Sequence, residues 1–214
     1  GVAQIGRGRH TSGERELRRT IGGLARRHDW RHAARGAVAL ANALLRRGRP
    51  RDAQAVLVDA KQFASASDEN GSLVDVAVLA AVASADLGRL EESETALHAT
   101  LAAARSVGDS ARTLSATLAL ARCLFWRGSY DRAHHLLAAA ECRTDDQAEG
   151  VRVAMALARV AVGRKNLGAA VSHASAALES AERLQDPALV ADAAYVAAFA
   201  HLAVTLCRCM NIPA

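Results

Sequence analysis

Leu44-Leu45-Arg46-Arg47-Gly48-Arg49-Pro50-Arg51-Asp52-Ala53 is a phrase that this chain repeats. Forty residues later stands Ser84-Ala85-Asp86-Leu87-Gly88-Arg89-Leu90-Glu91-Glu92-Ser93, and forty after that Leu124-Phe125-Trp126-Arg127-Gly128-Ser129-Tyr130-Asp131-Arg132-Ala133. Each glycine is followed two places on by Pro50, Leu90 or Tyr130, and five places on by Ala53, Ser93 or Ala133. Seven places before it stands Ala41, Ala81 or Ala121. A fourth copy comes after 37 residues, with Lys165 in the glycine's place, Leu167 and Ala170 after it and Ala158 before it. A partial fifth copy aligns Asp186-Pro187-Ala188 with Asp109-Ser110-Ala111, and Ala198 with Ala121. Self-similarity at a period of this size marks a stack of supersecondary units.

Apolar residues on both sides of the turn keep helical spacing: Ala37, Leu40, Ala41 and Leu44 before it, Ala53, Val56, Leu57 and Ala60 after it. Glycine takes a left-handed conformation cheaply and ends the first helix. Pro50 suits the start of the second, where its missing N–H costs nothing. Polar breaks separate the units at Ser67–Ser72, Gly108–Ser110, Thr144–Asp146 and Gln185–Pro187, and their Asp and Ser residues are candidate N-caps. Alanine at matched heights lets two helix backbones approach where they cross. Leu57, Leu97 and Leu137, nine places past each turn, are placed to fill the space between pairs. No unit can bury its apolar face alone, so the units must stack.

Composition agrees. Of 214 residues, 51 are alanine, 51% are hydrophobic and 3% aromatic, which favours helix over strand. Three prolines leave long helices uninterrupted. All-β and collagen-like chains are excluded. Charge is uneven: residues 1–51 carry thirteen arginines against Glu14, Glu16 and Asp29, a net of +10, whereas residues 52–214 carry a net of −5. A basic N-terminal face that meets nucleic acid or an acidic partner is one reading, and a solvated arginine-rich face is the other. No signal peptide is visible, and four cysteines without a C-x-x-C pair point to a reducing cytoplasm. Cys123 and Cys142 read as small buried or half-buried hydrophobes. Ala188–Leu206 is apolar over 19 residues, but Asp192 and His201 argue against membrane insertion. The chain starts at Gly1 rather than Met and stops at Ala214 after an apolar helix, so a piece of a longer protein is expected.

The repeated phrase resembles the tetratricopeptide (TPR) family, whose roughly 34-residue frame places the turn glycine and the small residues alike. The resemblance spans about residues 30–206, with a longer period and with Ala or Leu at most of the family's aromatic positions. It implies an all-α fold, a right-handed superhelix of antiparallel helix pairs (a TPR-like α-solenoid). The expected organisation is a basic tail and capping helix over 1–30 and an array over 31–206, with units near 31–67, 72–107, 110–143, 146–184 and partial 187–206. A tail follows over 207–214. Within 1–30, a helix from Glu14 to His28 would turn Leu17, Ile21, Leu24 and Ala25 inward. More narrowly, Ala121–Asp131 is similar to TPR-like segments of bacterial sigma-54-dependent transcription regulators. There is no G-x-x-x-x-G-K-[ST] loop of the ATPase that accompanies them.

In TPR proteins the concave groove is lined from the first helix of each pair. Carried over place by place, the resemblance implies a peptide-binding groove with Arg35, Asn42, Arg46, Arg122, Phe125, Trp126, Arg152 and Arg159. The same frame also gives Val38, Leu45, Asp75, Val78, Val82, Ala85, Asp86, Ser115, Leu118, Met155, Val162 and Gly163. Arginine forks there suit the carboxylates of an acidic or C-terminal peptide. The competing reading makes these arginines a solvated face and packs Trp126 into the next unit. Other chemistry is thin. His28 and His32 are four apart but straddle a helix junction, so no metal site and no cofactor are expected. Cys123 has no histidine at a nucleophile spacing. Gly6-Arg7-Gly8 reads as a flexible basic tail, not a phosphate loop. The expectation is a non-catalytic, cytoplasmic interaction or regulatory module. It would bind a protein segment, or another domain of its own polypeptide; residues 188–206, where Leu189, Val190, Ala193, Ala197 and Phe199 would be partly uncovered, would self-associate or adhere to sequence further downstream. Nucleic acid, through residues 1–51, and a small molecule are the alternative ligands.

Overall fold

A computed structural model of the protein describes residues 1–6, 8–67, 70–142 and 146–209. Among these residues there are eleven helices and no strand. They are α1 (Val2–Gly6), α2 (His10–Arg26), α3 (Trp30–Arg46), α4 (Pro50–Ala66), α5 (Asn70–Asp86), α6 (Leu90–Val107), α7 (Ser110–Trp126), α8 (Tyr130–Glu141), α9 (Gln147–Gly163), α10 (Leu167–Leu184) and α11 (Pro187–Cys209). From α3 onward a helix begins every twenty residues, save across α8, where the step is seventeen. Helix α8 has 12 residues where α3 to α7, α9 and α10 have 17 or 18. The change of period from 40 to 37 is therefore a shortening around one second helix, with every first helix kept whole.

The turns within pairs are built alike. Gly48, Gly88 and Gly128 have φ of +67, +85 and +73°, and Lys165 has +60° in the place of glycine. After each, one amide reaches back over the turn: Arg49 N–H to the Leu44 carbonyl at 3.0 Å, Arg89 to Ser84 at 3.0 Å, Ser129 to Leu124 at 2.9 Å and Asn166 to Ala161 at 2.9 Å. That bond satisfies a carbonyl that the helix end would otherwise orphan. Pro50 opens α4. The breaks between pairs are caps: Asp109 accepts from the Arg112 amide at 2.9 Å, Asp146 from Glu149 at 2.9 Å, and Asp186 from Ala188 at 2.9 Å. Residues 68, 69 and 143–145 of those breaks lie outside the described residues.

The chain divides into two units, Gly1–Ala116 and Thr117–Ala214. In the first, α3 packs on α4, α5 on α6, α4 on α5 and α2 on α3, while the first helices α3 and α5 lie side by side. Its core gathers Leu17, Ile21, Leu40, Leu44, Val56, Leu57 and Val76. In the second, α9 packs on α8 and α10, and α11 on both α9 and α10. Its core is alanine-rich, with Val151, Met155, Leu189 and Val196. A helix of 17 residues is about 25 Å long. A three-residue link between two such helices that pack along each other leaves only the antiparallel arrangement.

The recurring small residues do occupy the crossings. Ala41, Ala81, Ala121 and Ala158 are 3% exposed or less, and Ala53, Ser93, Ala133 and Ala170 are fully buried. At one crossing the contact is explicit: Ser93 Oγ donates to the Ala81 carbonyl at 2.8 Å, joining α6 to α5. Leu57, Leu97 and Leu137 are buried as expected.

Three local expectations are corrected. The helix expected over Glu14–His28 begins earlier, at His10, and stops at Arg26. Leu17 and Ile21 point inward, while Leu24 and Ala25 are only half-buried. His28 has φ +58° and forms a turn of the same kind as Gly48, with the Asp29 amide bonded to the Leu24 carbonyl at 3.0 Å. Residues 2–6, read within a basic tail, form helix α1, whose Ile5 sits where a Cβ on Gly13 would be, 2.6 Å from it. Arg7 lies outside the described residues. Finally, Cys142 is exposed, because it follows the shortened α8 as its C-cap, while Cys123 is buried.

Candidate functional site

In the first unit the first helices enclose a cleft of about 310 Å³. Arg35, Val38, Ala39 and Asn42 of α3, Ser72, Asp75, Val78 and Leu79 of α5, and Ser115 of α7 line it. Six of the residues that the repeat frame assigns to the groove (Arg35, Val38, Asn42, Asp75, Val78 and Ser115) thus come together. Arg46, the last residue of α3, is exposed and lies outside the cleft. Asp75 is engaged from α7: Arg112 Nε and Nη2 each reach it at 3.0 Å, in a two-pronged pair. Arg112 also donates to Asp109, and its guanidinium lies against Gly71, where a Cβ would stand 2.6 Å from the guanidinium carbon. Asp109 is held below the usual carboxylate range, first by the Arg112 amide and then, against burial, by the Arg112 side chain.

In the second unit a charged cluster centres on Arg159 of α9. Its neighbours are Arg122 of α7 and, from α11, Asp192 and Tyr195. Arg159 is open to solvent, yet enough protein surrounds it that burial pulls its guanidinium below the usual arginine range. Tyr195 and Asp192 oppose that effect and Arg122 adds to it. Phe125 and Trp126 meet edge to face with ring centroids 5.4 Å apart, and Phe125 also meets Tyr130 at 5.5 Å. Phe125 is half-buried, whereas Trp126 is 61% exposed, against the reading that packs Trp126 into the next unit. Tyr195 is 68% exposed. Arg152 lies on α9 and is exposed. A second recess, of about 330 Å³ between α9 and α10, contains none of the eight predicted groove residues.

Asp192 and Tyr195 were not among the predicted residues. The signal was present: Ala198 aligns the partial fifth copy, which sets its turn position at 205 and these two residues thirteen and ten places before it.

Other candidates have local roles. His32 Nδ1 lies 2.8 Å from Asp29, the N-cap of α3. His28 meets Trp30 edge-on at 5.1 Å, and Trp30 stacks on Phe63 at 5.9 Å. Among the described residues no three His, Cys, Asp or Glu side chains are placed to hold a metal. The α11 expectation changes in detail. Val190 and Phe199 are half-buried, but Leu189, Ala193 and Ala197 are buried against α9 and α10, and the exposed large apolar side chains are Tyr195, Leu202 and Leu206. Among the described residues one helix, over Pro187–Cys207, is long and apolar enough to cross a membrane, with a mean hydropathy of 1.7.

The architecture is that of TPR-like helical repeats. Two solved structures share it. BtubC (BKLC) from P. vanneervenii matches with a TM-score of 0.62 at 17% identity, over 91% of this chain and 81% of BtubC. The apo form of RapI matches with a TM-score of 0.58 at 9% identity, over 90% of this chain and 58% of RapI. This chain therefore spans little more than half of RapI. No family model and no curated protein matches the sequence. At these identities the likeness is one of fold.

Proposed function

We propose that this protein is a non-catalytic interaction module whose second unit holds an extended, acidic protein segment along α7, α9 and α11. The observation that carries this is the charged cluster around Arg159, where Arg122, Asp192 and Tyr195 lie near its guanidinium. Arg122 and Arg159 are close enough to interact, Tyr195 and Asp192 lie near Arg159, and Tyr195 of α11 and Trp126 of α7 are exposed in the same unit. Guanidinium forks match carboxylates in geometry and charge. Aromatic side chains add apolar contact area at small entropic cost. Asp192 keeps the cluster from being uniformly cationic and gives a bound segment a direction, since a basic or amide group is accepted at its end. The setting that fits this role is the cytoplasmic regulatory part of a bacterial signalling or transcription regulator. The likeness of Ala121–Asp131 to such regulators supports it. The bound segment then belongs to a partner or to the regulator's own output domain.

The test is binding of fluorescein-labelled twelve-residue peptides in three sets, acidic, neutral and basic, each with a free and an amidated C-terminus. Acidic peptides are expected to bind. Arg159→Ala and Arg122→Ala each remove a charge-assisted contact of about 1.5–3 kcal/mol, so each should weaken binding by roughly ten- to a hundredfold. Binding that ignores peptide charge, or survives both substitutions, refutes the proposal.

A further inference from the structure

The basic N-terminal region raises a question separate from the groove: which of its arginines serve the fold, and which are left for a partner. Glu14 answers the first half. Its carboxylate, only 17% exposed, takes Arg18 at 3.1 Å, Arg49 at 2.8 Å and Arg47 at 3.6 Å. Arg49 also pairs with Asp52 at 2.6 Å. These charges tie α2 to the turn between α3 and α4.

The second half lies on the other side of α2. At about 100° per residue, Arg15, Arg19, Gly22 and Arg26 fall within an arc of some 60°. Gly13, Leu17 and Ile21, the buried residues of α2, occupy the opposite side. Arg9, Arg15, Arg19, Arg26 and Arg27 are all exposed. Among the described residues, Arg9, Arg15, Arg19 and Arg26 have no carboxylate within ion-pair distance. Glu16 is the one acid of α2 that borders this face. A Cβ placed on Gly22 or Gly23 would meet only the Arg26 guanidinium, at 3.6 and 4.0 Å. The face is therefore a low ridge of guanidiniums with no large side chain interrupting it.

We propose that this outer face of α2 binds the phosphate backbone of duplex nucleic acid, without reading its sequence. The three aligned arginines span about 16 Å at 1.5 Å per residue. That is roughly five steps of a duplex at 3.4 Å per charge on one strand. A lipid surface fits less well, because an interfacial helix needs an apolar face to insert and here Leu17 and Ile21 are spent on the core. A folded acidic protein fits less well too, because the ridge offers no exposed aromatic or aliphatic anchor among its arginines. Trp30, the aromatic residue nearest in sequence, is stacked on Phe63 and half-buried. Base stacking, and with it preference for single strands, is not provided.

The test uses a fluorescein-labelled 20-base-pair DNA duplex of arbitrary sequence and fluorescence anisotropy at 50 to 200 mM NaCl. Four phosphate contacts, from the three aligned arginines and one of their flanking neighbours, give a log–log salt slope near −3.6, or about a 150-fold loss of affinity over that range. The triple variant Arg15→Gln, Arg19→Gln, Arg26→Gln should flatten the slope to about −0.9 and weaken binding at 50 mM at least tenfold, with an unchanged circular dichroism spectrum. A control removes the same net charge elsewhere, by Arg105→Gln, Arg127→Gln and Arg183→Gln, and should leave the slope near its original value. The proposal fails if the control weakens binding as much as the triple variant. It also fails if no duplex binding is seen at 50 mM, or if vesicles of phosphatidylcholine and phosphatidylserine at 7:3, or a poly-glutamate peptide, bind this face while the duplex does not. The triple variant separates this face from the acidic-peptide groove of the other unit: poly-glutamate binding that it abolishes belongs to α2, and binding that survives it belongs to the groove.

Discussion

Enlarging the side chain at the α5–α6 crossing tests the packing logic on which the whole fold depends. Ser93 is fully buried, Ala81 is 3% exposed, and the Ser93 hydroxyl touches the Ala81 backbone carbonyl itself at 2.8 Å. A side chain longer than serine therefore meets backbone, not a neighbour that can change rotamer. Ser93→Ala loses one buried hydrogen bond while the Ala81 carbonyl stays within its own helix, so it should cost about 0.5–1.5 kcal/mol. Ser93→Leu loses the same bond and adds two further carbons where there is no room. Overpacking of this kind costs about 1–3 kcal/mol on its own, so the total should be about 2–4 kcal/mol. Leucine at Ala102, an exposed position on the same helix, should change stability by less than about 0.5 kcal/mol. Urea unfolding followed by circular dichroism at 222 nm resolves these values. With a slope of about 2 kcal/mol/M, Ser93→Leu should lower the midpoint by roughly 1–2 M. If Ser93→Leu is no worse than Ala102→Leu, or milder than Ser93→Ala, the small residues are not there to let helices approach, and the repeat reading loses its physical basis.

Gly163 gives an independent check by sign. Glycine to alanine inside a helix normally stabilises, by about 0.8–1 kcal/mol, but a Cβ here would lie 2.5 Å from the Tyr130 ring. Gly163→Ala should therefore lower the melting temperature, and combining it with Tyr130→Ala should remove that penalty relative to Tyr130→Ala alone. Glu14 should give an acid-dependent stability. Burial pushes its pKa up, but Arg18 and Arg49 outweigh burial and hold it below the ordinary 4.5. The folded form thus binds its proton less readily than the unfolded chain. The stabilisation is present above pH 4.5 and is lost as pH falls through the folded value. In thermal melts between pH 3 and 6, Glu14→Gln should be less stable than the parent at pH 6 and the gap should close towards pH 3. A gap independent of pH would show that the carboxylate charge is not what ties α2 down. Self-association through the outer face of α11 should depend on Leu202 and Leu206, which are 56% and 50% exposed. Light scattering should show mass rising with concentration for the parent and a monomer for Leu202→Glu with Leu206→Glu; a parent that stays monomeric at high concentration refutes the idea.

What was legible in the sequence, and what was not, follows from where the information sits. The turn positions were legible even when the residue changed, because Lys165 stands in a frame set by Ala158, Leu167 and Ala170 and takes the same left-handed conformation as the glycines. His28 takes it too, but a turn only twenty residues before Gly48 belongs to no forty-residue period, and histidine does not advertise a positive φ. Helix α1 was illegible for another reason: five residues hold a helix only through tertiary contact, and the contacts that hold this one reach to Gly13 and Leu17. At the candidate site the frame gave positions along single helices but could not say which of them lie near one another. It placed Arg122 and Arg159 equivalently on the first helices of two units. It did not show that α11, although without a described second helix, brings Asp192 and Tyr195 to Arg159. The charge of the N-terminal region divides along the same line. A sum of +10 treats Arg18, Arg47 and Arg49 as the equals of Arg15, Arg19 and Arg26, whereas the fold gives the first three to one half-buried carboxylate, that of Glu14, and turns the others outward. A net charge therefore became an argument about a partner only once packing had separated the arginines that hold the protein together from those that do not.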